Sequence, residues 1–215
     1  MTTTGSTYNQ IAGQRVPRLE AISDGVFAIA LTLLVLDIKV PMGEAIKTER
    51  ALFDSLCNLM PKFLSYFLSF MTLGIFWTGH TTQFIYIDKS DRHLNWIVLF
   101  FLLFVSLLPF TTAFLSEHIH FKLSVGLYWL NIFLLGLVIY IQWVYAYRHD
   151  YISCPEEQKP LINKLIRKRI IIAQTLYALG ALLCFINIYL SIIVIILIQL
   201  NYALALFSRR RKNSN

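Results

Sequence analysis

Long stretches without a formal charge constrain this chain more than any other feature. Residues 63–87, 93–116 and 123–147 contain no Asp, Glu, Lys or Arg, which gives uninterrupted intervals of 25, 24 and 25 residues. A helix needs about 20 apolar residues to cross a hydrocarbon core of about 30 Å. Each interval therefore predicts one membrane-spanning helix, and the predicted fold class is an all-α integral membrane protein.

Two further segments raise the number of predicted transmembrane helices to six. Residues 170–208 form an uncharged run of 39 residues, which is too long for one span and just long enough for two that are joined by a turn at residues 187–191. Residues 19–40 contain an apolar run that is interrupted by Glu20, Asp24 and Asp37. Pro17 and Pro41 bracket this segment, which predicts one more helix. Between the first two spans, the mixed residues 42–60 predict a short external helix at the surface.

The distribution of basic residues predicts the orientation. With six helices and a cytoplasmic N-terminus, 14 of the 19 Lys and Arg residues fall on the cytoplasmic side, which agrees with the positive-inside rule. We therefore expect a multi-pass protein of the cell membrane with both termini in the cytoplasm. Its predicted organisation is a polar N-terminus (1–17), a six-helix transmembrane domain (18–208) and a basic tail (209–215).

Composition excludes the common soluble classes. Charged residues make up 14% of the chain and the hydrophobic class 57%, whereas an average globular chain has about 25% charged residues. The net charge of +7 is spread thinly between apolar runs, so the lipid bilayer is the expected partner for it and nucleic acid is not. The three cysteines include no C-x-x-C pair, so neither a disulfide framework nor a metal site is expected.

The first predicted helix is unusual because it contains acidic residues. An acidic side chain at the centre of a span costs about 2.5–3.5 kcal/mol on insertion scales, so we expect this helix to face protein or water instead of lipid. A helical wheel separates two faces. One of them is an apolar stripe with a hydroxyl beside it and a basic residue at its cytoplasmic end: Ile22, Ile29, Leu33, Leu36, Thr32 and Arg18.

The other face of this helix carries Ser23 and Asp24, which we expect to find partners on neighbouring helices. An Ile/Leu stripe at this spacing is also typical of ordinary helix packing. However, the polar flank predicts an inner helix, whose apolar face is then able to meet symmetry-related copies of itself.

Several motifs resemble those of a known membrane family. The segment Arg18-Leu19-Glu20-Ala21-Ile22-Ser23-Asp24 resembles the R-x-x-x-F-S-D signature of the transmembrane-protein-175 potassium channels, with Ile22 where the signature usually has Phe. The apolar run GVFAIALTLLVLDIKVP follows it, as in that family. Further similarities lie in the second and third helices: Phe76-Trp77-x-x-His80, Asn95 and Leu108-Pro109-Phe110. The resemblance covers about residues 15–208 and fits the single six-helix repeat of the prokaryotic members.

The resemblance implies a homotetramer in which the first helices line a central, potassium-permeable pore. It places a hydrophobic constriction at Ile29, Leu33 and Leu36, with Thr32 on the same inner face, and Arg18 and Ile22 at the pore entrance. The sequence has no T-V-G-Y-G filter. The resemblance thus implies a leak-type channel whose selectivity comes from a narrow, partly dehydrating constriction and nearby hydroxyl or backbone oxygens. The expected partners are lipid, potassium ions and further copies of the chain, and no cofactor is expected.

The remaining candidate residues are interpreted as structural. Because Asp24 points away from the presumed pore, we expect it to belong to a polar network that supports the helix bundle instead of an ion site. The predicted members of this network are Ser23, Asp24, Trp77, His80 and Asn95.

Other functions stay open at this stage. A membrane enzyme is disfavoured because the sequence contains no H-E-x-x-H, G-x-S-x-G or P-loop motif. A proton-coupled secondary transporter could use Asp24 and His80 as a relay, although matched halves with broken helices are not evident. A proton-conducting channel through the same pore and a non-conducting scaffold are further alternatives.

Overall fold

In a computed structural model, the backbone is described for residues 15–42 and 46–211, and the side chains are described up to residue 202. The described chain is helical, with seven α-helices and two short 3₁₀ turns, Leu34–Asp37 and Leu183–Phe185. The helices are α1 (Val16–Leu33), α2 (Glu49–Cys57), α3 (Met60–Phe84), α4 (Arg92–Glu117), α5 (Lys122–Arg148), α6 (Lys159–Leu182) and α7 (Ile188–Arg211). Most of the predicted polar N-terminus and the last four residues lie outside the described residues.

Length and composition identify the segments that could cross a membrane. Within the described residues, four segments qualify, namely Val16–Asp37, Arg92–Glu117, Lys122–Arg148 and Lys159–Phe185. The pair α2 and α3, bent by 44°, gives a fifth if it counts as one span. These four to five apolar spans confirm the all-helical fold class and a multi-pass membrane protein.

Local sequence signals explain where several helices begin. Proline occupies the first turn of α1, α3 and α6, where its missing N–H has no intrahelical role. The Thr48 side chain caps α2 by accepting a hydrogen bond from the Ala51 backbone N–H at 3.2 Å. Asp91 caps α4 in the same way, with the Leu94 N–H 2.8 Å from its Oδ1.

The packing order places α1 at one edge of the bundle. Helix α1 packs against α4 and α3, α4 packs extensively against α5, and α6 packs against α5 and α7. Helix α7 returns to contact α3. Large buried side chains such as Phe27, Phe101, Tyr128 and Trp143 fill the interior. One side of α1 is therefore covered by its own chain while the other side is left open.

Three predicted boundaries were wrong, each for a physical reason. The first helix ends as an α-helix at Leu33 and tightens to a 3₁₀ turn instead of continuing to residue 40, where the following Pro41 disfavours helical backbone. Helix α6 begins at Lys159 and not near residue 170, because its basic first turns are helical although they are charged. The break before α7 lies at residues 186–187 and not at 187–191.

The position of this last break follows from a side-chain cap. The Oδ1 of Asn187 accepts hydrogen bonds from the backbone N–H groups of Tyr189 and Leu190, at 2.9 and 3.2 Å. Asparagine is a favoured residue at a helix start because it satisfies such N–H groups. Helix α7 therefore begins directly after Asn187, and it continues to Arg211, three residues beyond the predicted end of the transmembrane domain.

Candidate functional site

The covered face of α1 is defined by small and apolar residues that pack into the bundle. Val16, Leu19, Ser23, Phe27 and Ala30 are all buried, and their spacing of three or four residues places them on one side of the helix. Phe27 contacts the ring of Phe101 on α4, with the ring centroids 5.9 Å apart. This face fixes the rotation of α1 about its own axis.

The opposite face of α1 is an exposed apolar stripe. Ile29 and Leu36 are 61% and 67% exposed, and Ile22 and Leu33 are exposed as well. Arg18 and Thr32 lie on the same exposed face. All six residues of the predicted pore lining and entrance are therefore left without cover by the described part of their own chain.

Small residues lie beside this stripe. Ala21, Gly25 and Ala28 are exposed on the same side of α1, and a Cβ added at Gly25 would meet no atom within 4 Å in the described chain. Small residues on an exposed helix face allow another helix to approach closely in a membrane. The open face therefore carries the small residues that close packing of another helix in a membrane requires.

The hydroxyl group of Thr32 is oriented by its own helix. Its Oγ1 donates a hydrogen bond to the Ile29 carbonyl oxygen at 2.8 Å. Because the hydroxyl proton is used within the helix, the oxygen lone pairs stay available as acceptors. An oxygen of this kind on the exposed stripe is able to contact a cation.

The far end of α1 carries partial negative charge. The C-terminal end of a helix is equivalent to about half a negative charge, and Asp37 is the last residue of the 3₁₀ turn that follows α1. The Oδ2 of Asp37 accepts a hydrogen bond from the Ser116 hydroxyl at 2.9 Å. This contact holds the Asp37 carboxylate beside the end of the stripe.

A chain of hydrogen bonds joins α1 to α3 and α5. The Ser23 hydroxyl donates to the Leu19 carbonyl at 2.6 Å, and the Nε2 of His80 lies 3.0 Å from the Ser23 Oγ. The Nε2 of Gln142 lies 3.5 Å from the His80 Nδ1 and donates to the Gln83 Oε1 at 3.0 Å. The Gln83 Nε2 in turn donates to a backbone carbonyl of α5 at 3.1 Å.

These contacts determine the hydrogen position on His80. Because the Ser23 hydroxyl already donates to Leu19, its oxygen accepts from the His80 Nε2–H, and the Nδ1 accepts from Gln142. His80 is 1% exposed and its ring is stacked on Phe101 and edge-on to Phe84, with centroids 4.8 and 4.7 Å apart. Such surroundings suit a neutral imidazole that holds helices together.

Asp24 makes a separate contact. Its Oδ1 accepts a hydrogen bond from the Trp77 Nε1 at 2.9 Å, and both side chains are exposed on the flank of α1 and α3. The ion pairs among the described residues involve Lys62 and Lys159, so Arg18 and Asp24 of one chain are not paired there. The carboxylate is open on the side that faces away from its own bundle.

The structure thus brings the predicted network residues together in two places. Ser23 contacts His80, and Asp24 contacts Trp77, while Asn95 lies half-buried one turn into α4. Sequence reasoning missed Gln83 and Gln142, which are buried amides inside apolar helices. Their polarity in such segments is a signal of buried hydrogen bonds that could have been used.

A second polar cluster binds the outer helices to the centre. The Tyr128 hydroxyl lies 3.2 Å from the Ser69 Oγ and 3.1 Å from the Thr72 Oγ1. Thr112 donates to Ser69 at 2.7 Å, and Gln199 of α7 donates to Thr72 at 2.7 Å. This cluster connects α3, α4, α5 and α7. Within the described residues, no group of three His, Cys, Asp or Glu side chains is placed to hold a metal ion.

Comparisons with known proteins match the helices just described. Residues 18–109 match the family described as the endosomal/lysosomal potassium channel TMEM175. A potassium channel of Chamaesiphon minutus is 32% identical over 191 residues, which cover 87% of this chain and 93% of that protein. The crystal structure of a lysosomal potassium-selective channel TMEM175 homologue from the same organism superposes with a TM-score of 0.77 at 30% identity, over 88% of this chain and 97% of the other.

A vertebrate relative matches over a shorter region. The endosomal/lysosomal proton channel TMEM175 of Gallus gallus is 39% identical over 107 residues, which are 46% of this chain and 21% of that protein.

Proposed function

Since the chain belongs to the TMEM175 family of ion channels, we propose that it is a potassium-permeable leak channel whose pore is lined by α1 in a homotetramer. The exposed apolar stripe on α1 carries this proposal. The bacterial relative that is named a potassium channel matches over nearly its full length, which supports extending potassium permeation to this chain. Family membership also separates the chain from membrane enzymes.

The stripe supplies the constriction. Ile29, Leu33 and Leu36 span about 10 Å along the helix axis at 1.5 Å per residue. Copies of these residues around a symmetry axis form successive hydrophobic rings that strip water from a passing ion. Thr32 lies between the first two rings and offers the hydroxyl oxygen that partly replaces the lost water. The negative end of α1 beside Asp37 attracts cations to the outer mouth.

At the pore entrance formed by the N-terminal end of α1, the positive charge of Arg18 needs a negatively charged partner. Arg18 adds positive charge at the N-terminal end of α1, which already carries a partial positive charge. Arg18 and Asp24 are about 9 Å apart along one helix and are not paired within it. We therefore assign Asp24, held by Trp77, as the partner of Arg18 from a neighbouring subunit. Ser23, His80 and Asn95 then support the subunit itself.

The remaining features of the proposal concern topology. We include the bent α2–α3 pair and α7 as membrane spans, so that each chain crosses the membrane six times. This places both termini in the cytoplasm of a cell-membrane protein. The orientation is supported by the basic residues at the start of α6 and at the end of α7.

Proton permeation is a second candidate, favoured by the vertebrate relative that is named a proton channel. The His80 chain of hydrogen bonds ends at backbone carbonyls on both sides, and Asp24 bonds to Trp77 instead of His80. A coupled relay between Asp24 and His80 therefore lacks support. Protons are expected to use transient water in the α1 constriction.

Flux through reconstituted protein tests the proposal. Liposomes with a potassium gradient are compared for the wild type, Ile29→Asn, Leu33→Asn and the control Leu103→Asn, which changes an exposed leucine of α4. We expect potassium flux without any second ion gradient, and a higher leak with poorer sodium exclusion in the two α1 variants. Unchanged flux and sodium exclusion in both variants would refute the assignment, and a strict need for a proton gradient would favour a transporter.

A further inference from the structure

Among the described residues, a large crevice is lined by side chains of other helices and by no residue of α1. Its volume is about 510 Å³, and it is formed between α3, α5 and α6, with Tyr202 of α7 at its edge. This volume is within the range of about 300–1,000 Å³ that is typical of ligand sites. Most of its lining is apolar, including Ile75, Phe76, Ile139 and Ile170.

Two basic residues line the crevice partway along α6, between Ile166 and Ile170. Lys168 and Arg169 of α6 line it, and α6 contains five Lys and Arg residues and no acidic residue. The ion pairs of the described residues involve Lys62 and Lys159, so Lys168 and Arg169 have no carboxylate partner there. Arg167 differs, because its Nη2 donates to the Tyr140 hydroxyl at 2.7 Å.

The lining of the crevice also includes Gln174, whose side chain has a buried oxygen without a hydrogen-bond partner in the described chain. Gln174 packs directly over Gly136, and its Nε2 donates to the Ile132 carbonyl at 3.4 Å. The Gln174 Oε1 is buried and has no hydrogen-bond partner in the described chain. A buried acceptor without a donor costs about 1–3 kcal/mol, so a ligand hydroxyl or an accompanying water would stabilise it.

We propose that this crevice binds an anionic phospholipid. The phosphate contacts Lys168 and Arg169, and an acyl chain runs along the apolar wall past Gly79 and Ala173. The crevice lies between segments that we assign as membrane spans, where lipid is the abundant occupant, and its basic pair and its apolar lining match the phosphate and the acyl chains of a phospholipid. With the orientation given under Proposed function, the lipid comes from the cytoplasmic leaflet.

Native mass spectrometry of detergent-purified protein tests this binding. The protein is exposed to equal amounts of phosphatidylglycerol and phosphatidylcholine, and to oleate in a separate arm. We compare the wild type with Lys168→Gln, Arg169→Gln and the matched control Lys164→Gln, a basic residue of α6 outside the crevice lining. Ala173→Leu fills the apolar part, and monodispersity in gel filtration checks that each variant is folded.

The expected result is preferential retention of phosphatidylglycerol. Each crevice charge variant should weaken it roughly fivefold, because one Lys or Arg near an anionic lipid contributes about 1 kcal/mol. Lys164→Gln should have little effect, and Ala173→Leu should release the lipid. Equal retention of the two phospholipids, equal effects of all three charge variants, or retention of oleate alone would overturn the proposal. The assay measures bound lipid and not flux, so it is independent of whether α1 conducts potassium.

Discussion

The amide pair Gln83–Gln142 offers a quantitative test of the packing that positions α1. Gln142 is fully buried, and its Nε2 serves both the Gln83 Oε1 at 3.0 Å and the His80 Nδ1 at 3.5 Å. Gln142→Leu keeps a side chain of similar length but leaves both acceptors without a donor. The change therefore tests the whole connection from α5 to α1.

The expected magnitude follows from the lost contacts. Interhelical hydrogen bonds in membrane proteins contribute about 0.6 kcal/mol on average and up to about 1.7 kcal/mol, and an orphaned buried acceptor costs about 1–3 kcal/mol. Gln142→Leu orphans two acceptors and removes one, its own Oε1, which is buried without a partner in the described chain. We therefore expect a net decrease in the free energy of unfolding of about 2 kcal/mol. For a chain of this size, that corresponds to a decrease in Tm of roughly 4–8 °C.

Thermal unfolding in detergent, followed by intrinsic fluorescence, measures the effect. The control is Gln158→Leu, because Gln158 is exposed and makes no side-chain cap at the start of α6. A double-mutant cycle with Gln83→Leu isolates the bond between the two amides. The double variant should be about 1 kcal/mol more stable than the sum of the single effects predicts. Additivity within about 0.3 kcal/mol, or a Gln142→Leu variant as stable as the control, would refute the reasoning.

Two further substitutions examine the assembly and the ion path. Asp24→Asn keeps an acceptor for Trp77 but removes the negative charge that we assign as the partner of Arg18 of the neighbouring subunit. Native mass measurement should therefore show less tetramer, while the surviving channels keep their selectivity. Loss of selectivity with full tetramer yield would count against this role. Thr32→Val removes the hydroxyl that we assign as a contact of the permeant ion, so the potassium-to-sodium permeability ratio in liposomes should fall; an unchanged ratio contradicts that assignment.

The sequence predicted those helix ends that are marked by a charged residue. Charges at both ends of α4 and α5 set their bounds, because a charge is costly inside the hydrocarbon core. The start of α6 was missed because the prediction used charge alone. The basic residues of its first turns were counted as a loop outside the membrane, although they are helical. Asn187 shows that a capping residue locates a break more accurately than the length of an apolar run.

The candidate site was predictable only in part. The stripe on α1 follows from helical periodicity, but its exposure depends on which helices cover the opposite face, which the sequence does not state. The partners of His80 include Gln142, which is 62 residues away in the chain and on another helix. Such a contact depends on the order in which the helices pack, and the amide side chains of an apolar segment do not identify their partners on other helices.

Cysteine accessibility tests most directly whether the open face of α1 lines the pore. Leu33→Cys and the control Phe27→Cys, from the covered face of α1, are introduced after Cys57, Cys154 and Cys184 are replaced by serine, and potassium flux is measured before and after a small, charged thiol reagent. We predict that the reagent blocks Leu33→Cys and leaves Phe27→Cys and the cysteine-free protein unchanged. Block of Phe27→Cys with no effect on Leu33→Cys would contradict the account.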